Sequence, residues 1–133
     1  MTKTLSPISV LSLCLIGGSL IVSAANAADG DWKRGRVYFQ NVCTECHKAK
    51  TGAPIAPNSR KIADWNAYLN ADKHAKGSDT VKKYVSKEYR ASVKASNKAA
   101  AKYADIPEEQ LFNDVKAFML KGAKDGDSPA SCS

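Results

Sequence analysis

The sequence predicts an all-α fold, and two observations support this prediction. Alternating runs of Val, Ile and Thr, which are typical of half-buried strands, are absent after residue 27, and Ala and Lys are abundant there instead. Apolar residues recur at intervals of three and four positions, as they do on one face of an amphipathic helix. We therefore expect four helices and no sheet.

The first 27 residues have the features of a secretory signal peptide. Lys3 precedes an apolar run from about residue 8 to residue 22, and the small-residue motif Ala25-Asn26-Ala27 follows it. The run is short for a membrane span and a charged segment comes next, so we expect cleavage after Ala27, export to the periplasm and no stable membrane insertion. Cys14, inside the apolar run, is not expected to carry a lipid.

The rest of the chain suits one small domain over residues 28–122, with a flexible tail over residues 123–133. The chain is basic, with a net charge of +7, and its cations are concentrated between Lys33 and Lys102. Such a surface attracts nucleic acid, an anionic membrane or an acidic protein, or it simply keeps the protein soluble. No nucleic-acid motif is present, and an exported protein rarely meets nucleic acid, so we do not expect that partner.

The first two predicted helices carry short apolar stripes. The first covers about Trp32–Asn41 and contains Val37, Tyr38 and Phe39 just before a cysteine motif. The second covers about Lys61–Leu69, where Ile62, Trp65 and Leu69 recur at helical spacing.

The third and fourth predicted helices fill the second half of the chain. A long helix is expected from Asp79 to near Tyr103, because its apolar stripe is narrow and Lys covers the remaining faces. The fourth is expected to start with Asp105 as its cap and Pro107 in its first turn, and to stop at Gly122. Its predicted inward face is strongly apolar and consists of Leu111, Phe112, Val115, Phe118 and Met119.

The segment NVCTECHKAK contains Cys43, Cys46 and His47 in the pattern C-x-x-C-H. A zinc site would need four ligands, with His74 as the fourth, and adjacent Cys46 and His47 fit tetrahedral zinc poorly. A dithiol switch is normally placed in a strand-helix-strand context, which this chain lacks. In an exported protein the pattern indicates covalent attachment of one haem c. The two thiols, three positions apart on a helical turn, each add to a haem vinyl group, and His47 then binds the iron.

Around this motif the chain resembles the class I c-type cytochromes, especially the small bacterial c5 and c552 types. Gly35 and Phe39 stand eight and four residues before Cys43, as in that family, and NDVKAFMLKG is similar to its last helix, with Phe118 as the aromatic partner. The segment TGAPIAPNSRKIADW is similar to the family's Gly-Ala-Pro and Trp region. The resemblance implies a cytochrome c fold in which the N- and C-terminal helices cross at Gly35. A long extra helical segment replaces the usual Met loop, since residues 70–104 contain no Met.

The missing Met leaves two candidates for the sixth iron ligand. Met119 lies within the last predicted helix, on the face that carries Val115 and Phe112, so its expected role is core packing. His74 lies between predicted helices and, with the family's usual donor absent, is the expected ligand; a Lys, water or an open site are the alternatives.

Two strong ligands leave iron no free position, so the predicted function is a soluble one-electron carrier and not an enzyme. The expected partners are redox proteins with acidic docking surfaces, such as multihaem cytochromes or membrane oxidoreductases. A basic bis-histidine monohaem protein of this size is similar to the periplasmic shuttle of iron-oxidising bacteria. The alternative is a haem-based sensor or small-ligand-binding cytochrome with a displaceable distal ligand.

Cys132 is expected to be a free thiol and the protein a monomer.

Overall fold

The computed structural model describes residues 30–74 and 79–130. Within these ranges the chain is helical and no strand occurs, which confirms the all-α prediction. The predicted signal peptide over residues 1–27, Cys14 and Cys132 lie outside the described residues. In the part of the chain that is described, every helix is too short or too polar to cross a membrane.

The helices are short and follow one another closely along the chain. In order, they are α1 (Trp32–Tyr38), a π-helical segment (Phe39–Cys43), α2 (Thr44–Thr51), a 3₁₀ turn (Pro57–Ser59), α3 (Ile62–Ala71), a second 3₁₀ turn (Lys82–Val85), α4 (Lys87–Val93), α5 (Lys98–Lys102) and α6 (Glu108–Lys121). The first three form one uninterrupted helical rod, so the first helix continues well beyond its predicted end at Asn41.

The crossing of α1 and α6 organises the core. Gly35 lies so close to Asp114 that a Cβ added to the glycine would overlap the Asp114 carbonyl group. Next to the crossing, the rings of Phe39 and Phe118 pack with their centres 5.5 Å apart. All five residues of the predicted inward face of α6 are buried. The first and last described helices therefore meet at Gly35.

The start of α6 differs from the prediction. The helix begins at Glu108 with Pro107 at the N-cap, and the Asp105 side chain makes no capping bond. The preceding turn is set by tertiary contacts, because the buried guanidinium of Arg90 donates hydrogen bonds to the carbonyls of Tyr103 and Ile106. Gly122 ends the helix as expected.

The single long helix predicted over residues 79–103 is wrong. The segment is helical but divided, because Ser86 adopts an extended backbone and its hydroxyl accepts a hydrogen bond from the Tyr89 amide at the start of α4. Asn97 does the same for α5, accepting from the amides of Ala99 and Ala100. Ser and Asn compete with the helix for backbone hydrogen bonds, which local apolar spacing does not reveal.

The segment after α6 makes several contacts with the body of the domain. The Lys124 amide donates to the Arg60 carbonyl at 2.9 Å, and the Asn58 amide donates to the Ala130 carbonyl at 3.1 Å. The Asp125 carboxylate accepts a hydrogen bond of 2.7 Å from the amide of Ile62 and so takes part in capping α3. Within the predicted tail, residues 123–130 thus follow a defined path.

Candidate functional site

The C-x-x-C-H motif lies on the continuous helical rod formed by α1, the π-helical segment and α2. Cys43 is the last residue of the π-helical segment, and Cys46 and His47 lie in the first turns of α2. Residues three positions apart are neighbours on a helix surface, so both thiols can reach one ligand. Both cysteines are partly buried and neither forms a disulfide.

The environment of the first thiol is apolar. Burial, and to a smaller extent the neighbouring Cys46, raise the pKa of Cys43 to about 12. The Cys43 side chain packs against the hydrophobic core, whereas Glu45 is exposed and lies 3.7 Å from Lys48 in a surface ion pair. The two residues between the cysteines therefore differ: Glu45 faces solvent, whereas Thr44 is buried and its hydroxyl has no hydrogen-bond partner.

His74 lies beside His47, although 27 positions separate them in the sequence. Their ring centres are 5.4 Å apart and the ring planes are inclined by 34°. The fold achieves this because α3 ends at Ala71, where Asp72 adopts a left-handed conformation with φ of 50° and turns the chain. Two of the predicted ligands are thus brought together by tertiary structure.

The electrostatics at His47 favour its neutral imidazole. Burial, followed by the proximity of His74, lowers the pKa of His47 below its ordinary 6.5. The neutral ring is the form that binds a metal ion. The Nδ1 atom of His74 is buried and has no hydrogen-bond partner, which leaves one polar atom of this ring unsatisfied.

Comparison with known proteins gives no relative: no family model, curated protein or solved structure matches the chain.

Met119, the other candidate ligand, lies in the hydrophobic core. It is 2% exposed, on the face of α6 that also carries Val115 and Phe118. Within the described ranges, no three side chains of His, Cys, Asp or Glu are grouped so that they could hold a metal ion by themselves.

Two features of the structure were not identified from the sequence, and the first lies beside a predicted ligand. The ring of Tyr84 packs against His74 with the ring centres 5.1 Å apart. In the sequence, Tyr84 falls on the narrow apolar stripe of the predicted third helix. Its position there does not indicate a contact with His74.

The second feature is a cavity of about 390 Å³ beside the loop that follows α2. It is lined by Ile55, Trp65 and Tyr68 among other apolar groups, and the Arg60 guanidinium lies 5.5 Å from the centres of both aromatic rings. The Trp65 indole donates a hydrogen bond of 2.6 Å to the Pro57 carbonyl, which fixes this wall of the cavity. An apolar cavity with one cation suits a flat apolar group that carries a carboxylate.

Proposed function

We propose that the protein is a class I c-type cytochrome that carries one electron at a time. The observation that carries this proposal is the 5.4 Å separation of the His47 and His74 rings, beside two cysteines on the same helical rod as His47. In this proposal, Cys43 and Cys46 attach one haem through thioether bonds, and His47 and His74 are its iron ligands. The crossing of α1 and α6 at Gly35 further supports a cytochrome c fold.

The geometry of the two histidines fits a shared metal ion. A metal–imidazole bond is about 2 Å long, so two rings on opposite sides of one ion have centres on the order of 6 Å apart. The observed 5.4 Å is close to this separation. The neutral state favoured for His47 is also consistent with its role as a metal ligand.

The chemistry follows from the proposed ligand set. Haem iron held by two imidazoles has no open coordination position, so it changes oxidation state without readily binding a gas or peroxide. Because the thioether of Met raises the potential of cytochromes c, replacing it by His74 is expected to lower the potential. If the cavity lined by Trp65 and Tyr68 receives an edge of the haem, Arg60 would supply the cation for a haem carboxylate.

The setting of this carrier also stays a proposal. The N-terminal leader motif favours the periplasm, and the net charge of +7 favours redox partners with acidic docking surfaces. We propose a monomer that meets multihaem cytochromes or membrane oxidoreductases in brief encounters.

A second candidate is a sensor of small ligands. It is favoured by one observation: the Nδ1 atom of His74 lacks the hydrogen-bond acceptor that normally strengthens and orients a metal-bound histidine. Such a ligand is more easily displaced.

Optical spectra of the haem-loaded protein, with and without carbon monoxide, distinguish these functions. The carrier should be low-spin in both oxidation states, should lack the near-695 nm band of Met ligation, and in its ferrous form should bind carbon monoxide only slowly, as His74 dissociates. Rapid carbon monoxide binding would favour the sensor. If the protein carries no covalent haem after expression with a haem-attachment system, both the electron-carrier function and the sensor function are contradicted.

A further inference from the structure

We propose that Tyr84 is a positioning residue for His74: its ring holds the imidazole against His47 and slows its dissociation from iron. This inference rests on the proposed function and deepens it by assigning a residue that sets the lifetime of the distal bond. It depends on three features of the described residues, namely an unsupported imidazole, a ring packed on it and anchors for that ring.

The His74 imidazole lacks the usual polar support of a metal ligand. A metal-bound histidine commonly donates its second ring N–H to a carboxylate or carbonyl, which fixes the orientation of the ring. The Nδ1 atom of His74 is buried and has no such acceptor. The nearest polar anchor is the Asp72 carboxylate, which accepts a 2.8 Å hydrogen bond from the Lys82 amide. This bond holds Asp72, two positions before His74, but does not reach the imidazole.

Tyr84 supplies the missing support by packing. Its ring centre lies 5.1 Å from that of His74, and the two planes are inclined by 52°. Aromatic rings attract each other at separations of about 4.5–7 Å when they are tilted or offset. His74 thus contacts the ring of Tyr84 as well as the ring of His47, whose centre is 5.4 Å away.

Tyr84 is itself anchored to the centre of the fold. Its carbonyl accepts a 2.6 Å hydrogen bond from the hydroxyl of Tyr38, a completely buried residue of α1. Its ring also packs edge-on against Tyr89 at 5.2 Å. Tyr38 packs in turn against Tyr103 at 5.6 Å. Tyr38 and Tyr84 therefore connect α1 to His74, and Tyr89 and Tyr103 pack on this pair from two further segments.

The test compares Tyr84→Leu with Tyr84→Phe in the haem-loaded protein. The measured quantity is the rate at which the ferrous protein binds carbon monoxide at saturating gas, where dissociation of the distal ligand limits the rate. Packing between two aromatic rings is worth a factor of about 3 to 10 in an equilibrium constant, so we expect Tyr84→Leu to bind carbon monoxide faster by about that factor. Tyr84→Phe keeps the ring and should remain within about twofold of wild type. The ferric low-spin electron paramagnetic resonance signal of Tyr84→Leu should also broaden, because ligand orientation is less fixed.

Tyr38→Phe is the second variant. It removes the hydroxyl that fixes the Tyr84 carbonyl and leaves every ring in place, so a smaller acceleration in the same direction is expected. If Tyr84→Leu does not fold, the carbon monoxide binding rate of Tyr38→Phe decides whether Tyr84 positions His74. A lower unfolding midpoint with an unchanged carbon monoxide rate would show that Tyr84 is only structural and would overturn the inference. A wild-type protein that binds carbon monoxide at once would overturn His74 ligation itself, and with it both proposals.

Discussion

Gly35 in α1 lies against the backbone of Asp114 in α6, so closely that no side chain fits between the two helices. The contact sets how near the first and last helices approach, and therefore how Phe39 packs against Phe118. It also fixes the start of the helical rod that carries Cys43 and His47.

A side chain at this crossing should be poorly tolerated. We expect Gly35→Ala to lower the free energy of unfolding by at least about 2 kcal/mol, because the added methyl group must push α6 away. Urea unfolding of the haem-loaded protein measures this. Gly52→Asn is the control, since an added Cβ at Gly52 meets no atom and Asn tolerates its φ of 74°. Equal stabilities of Gly35→Ala and wild type would contradict a tight crossing.

A second contact between α1 and α6 is the ion pair of Arg34 and Asp114. The Asp114 carboxylate, which is almost fully buried, accepts 2.5 Å and 2.7 Å hydrogen bonds from the Arg34 guanidinium and the Asp31 amide. Asp114→Ala should destabilise the protein by about 2–3 kcal/mol, because hydrogen bonds to a buried carboxylate are lost while Arg34 stays partly exposed to water. Glu45→Gln is the matched control, because its pair with Lys48 is exposed and should contribute less than about 1 kcal/mol. A similar, small effect of both variants would show that Asp114 is dispensable.

His74→Ala tests the distal ligand directly. The variant should gain high-spin character and bind carbon monoxide, while its haem stays attached through Cys43 and Cys46. His47→Ala should be worse, since haem maturation requires the proximal ligand. Met119→Leu is the control and should keep the wild-type spectrum, because Met119 lies in the core. A Met-ligation band that disappears in Met119→Leu would refute the assignment, as would an unchanged spectrum in His74→Ala.

Tyr38 should make stability depend on alkaline pH. Burial raises the pKa of this phenol above its ordinary 10.0, so the folded protein keeps the proton that the unfolded chain loses above pH 10. Folding therefore loses stability as pH rises above 10. Tyr38→Phe should weaken this dependence between pH 9 and 11 and should cost about 1 kcal/mol at neutral pH, because the bond to the Tyr84 carbonyl is lost. Denaturant melts at each pH measure both effects. Parallel pH curves for variant and wild type would contradict this account.

Electron exchange with an acidic redox partner should slow as ionic strength rises. Salt at about 0.1 M screens charges beyond roughly 10 Å, which removes the attraction due to the surplus of Lys and Arg. Stopped-flow rates at several salt concentrations test this, with a neutral small-molecule reductant as the control. Salt-independent rates with the protein partner would rule out electrostatic steering.

The spacing of apolar residues predicted correctly which segments are helical, but it predicted several helix boundaries incorrectly. The apolar spacing of α6 correctly identified Leu111 and Phe118 as buried, because 3.6-residue periodicity directly encodes which face is inward. The same spacing predicted one long helix where Ser86 and Asn97 start two short ones. Capping competes with helix continuation, and the outcome depends on neighbours such as Glu108, whose carboxylate accepts a 2.7 Å hydrogen bond from the Lys87 amide.

The sequence alone determined the helical class, the C-x-x-C-H motif and the shortage of ligands other than His74, since these depend on residue identity and short spacing. Only the tertiary structure decided that His74 lies beside His47 and beneath Tyr84. That placement results from the left-handed turn at Asp72 and the Tyr38 hydroxyl bond. Contacts between residues tens of positions apart form only when the whole chain packs, so no local pattern carries them.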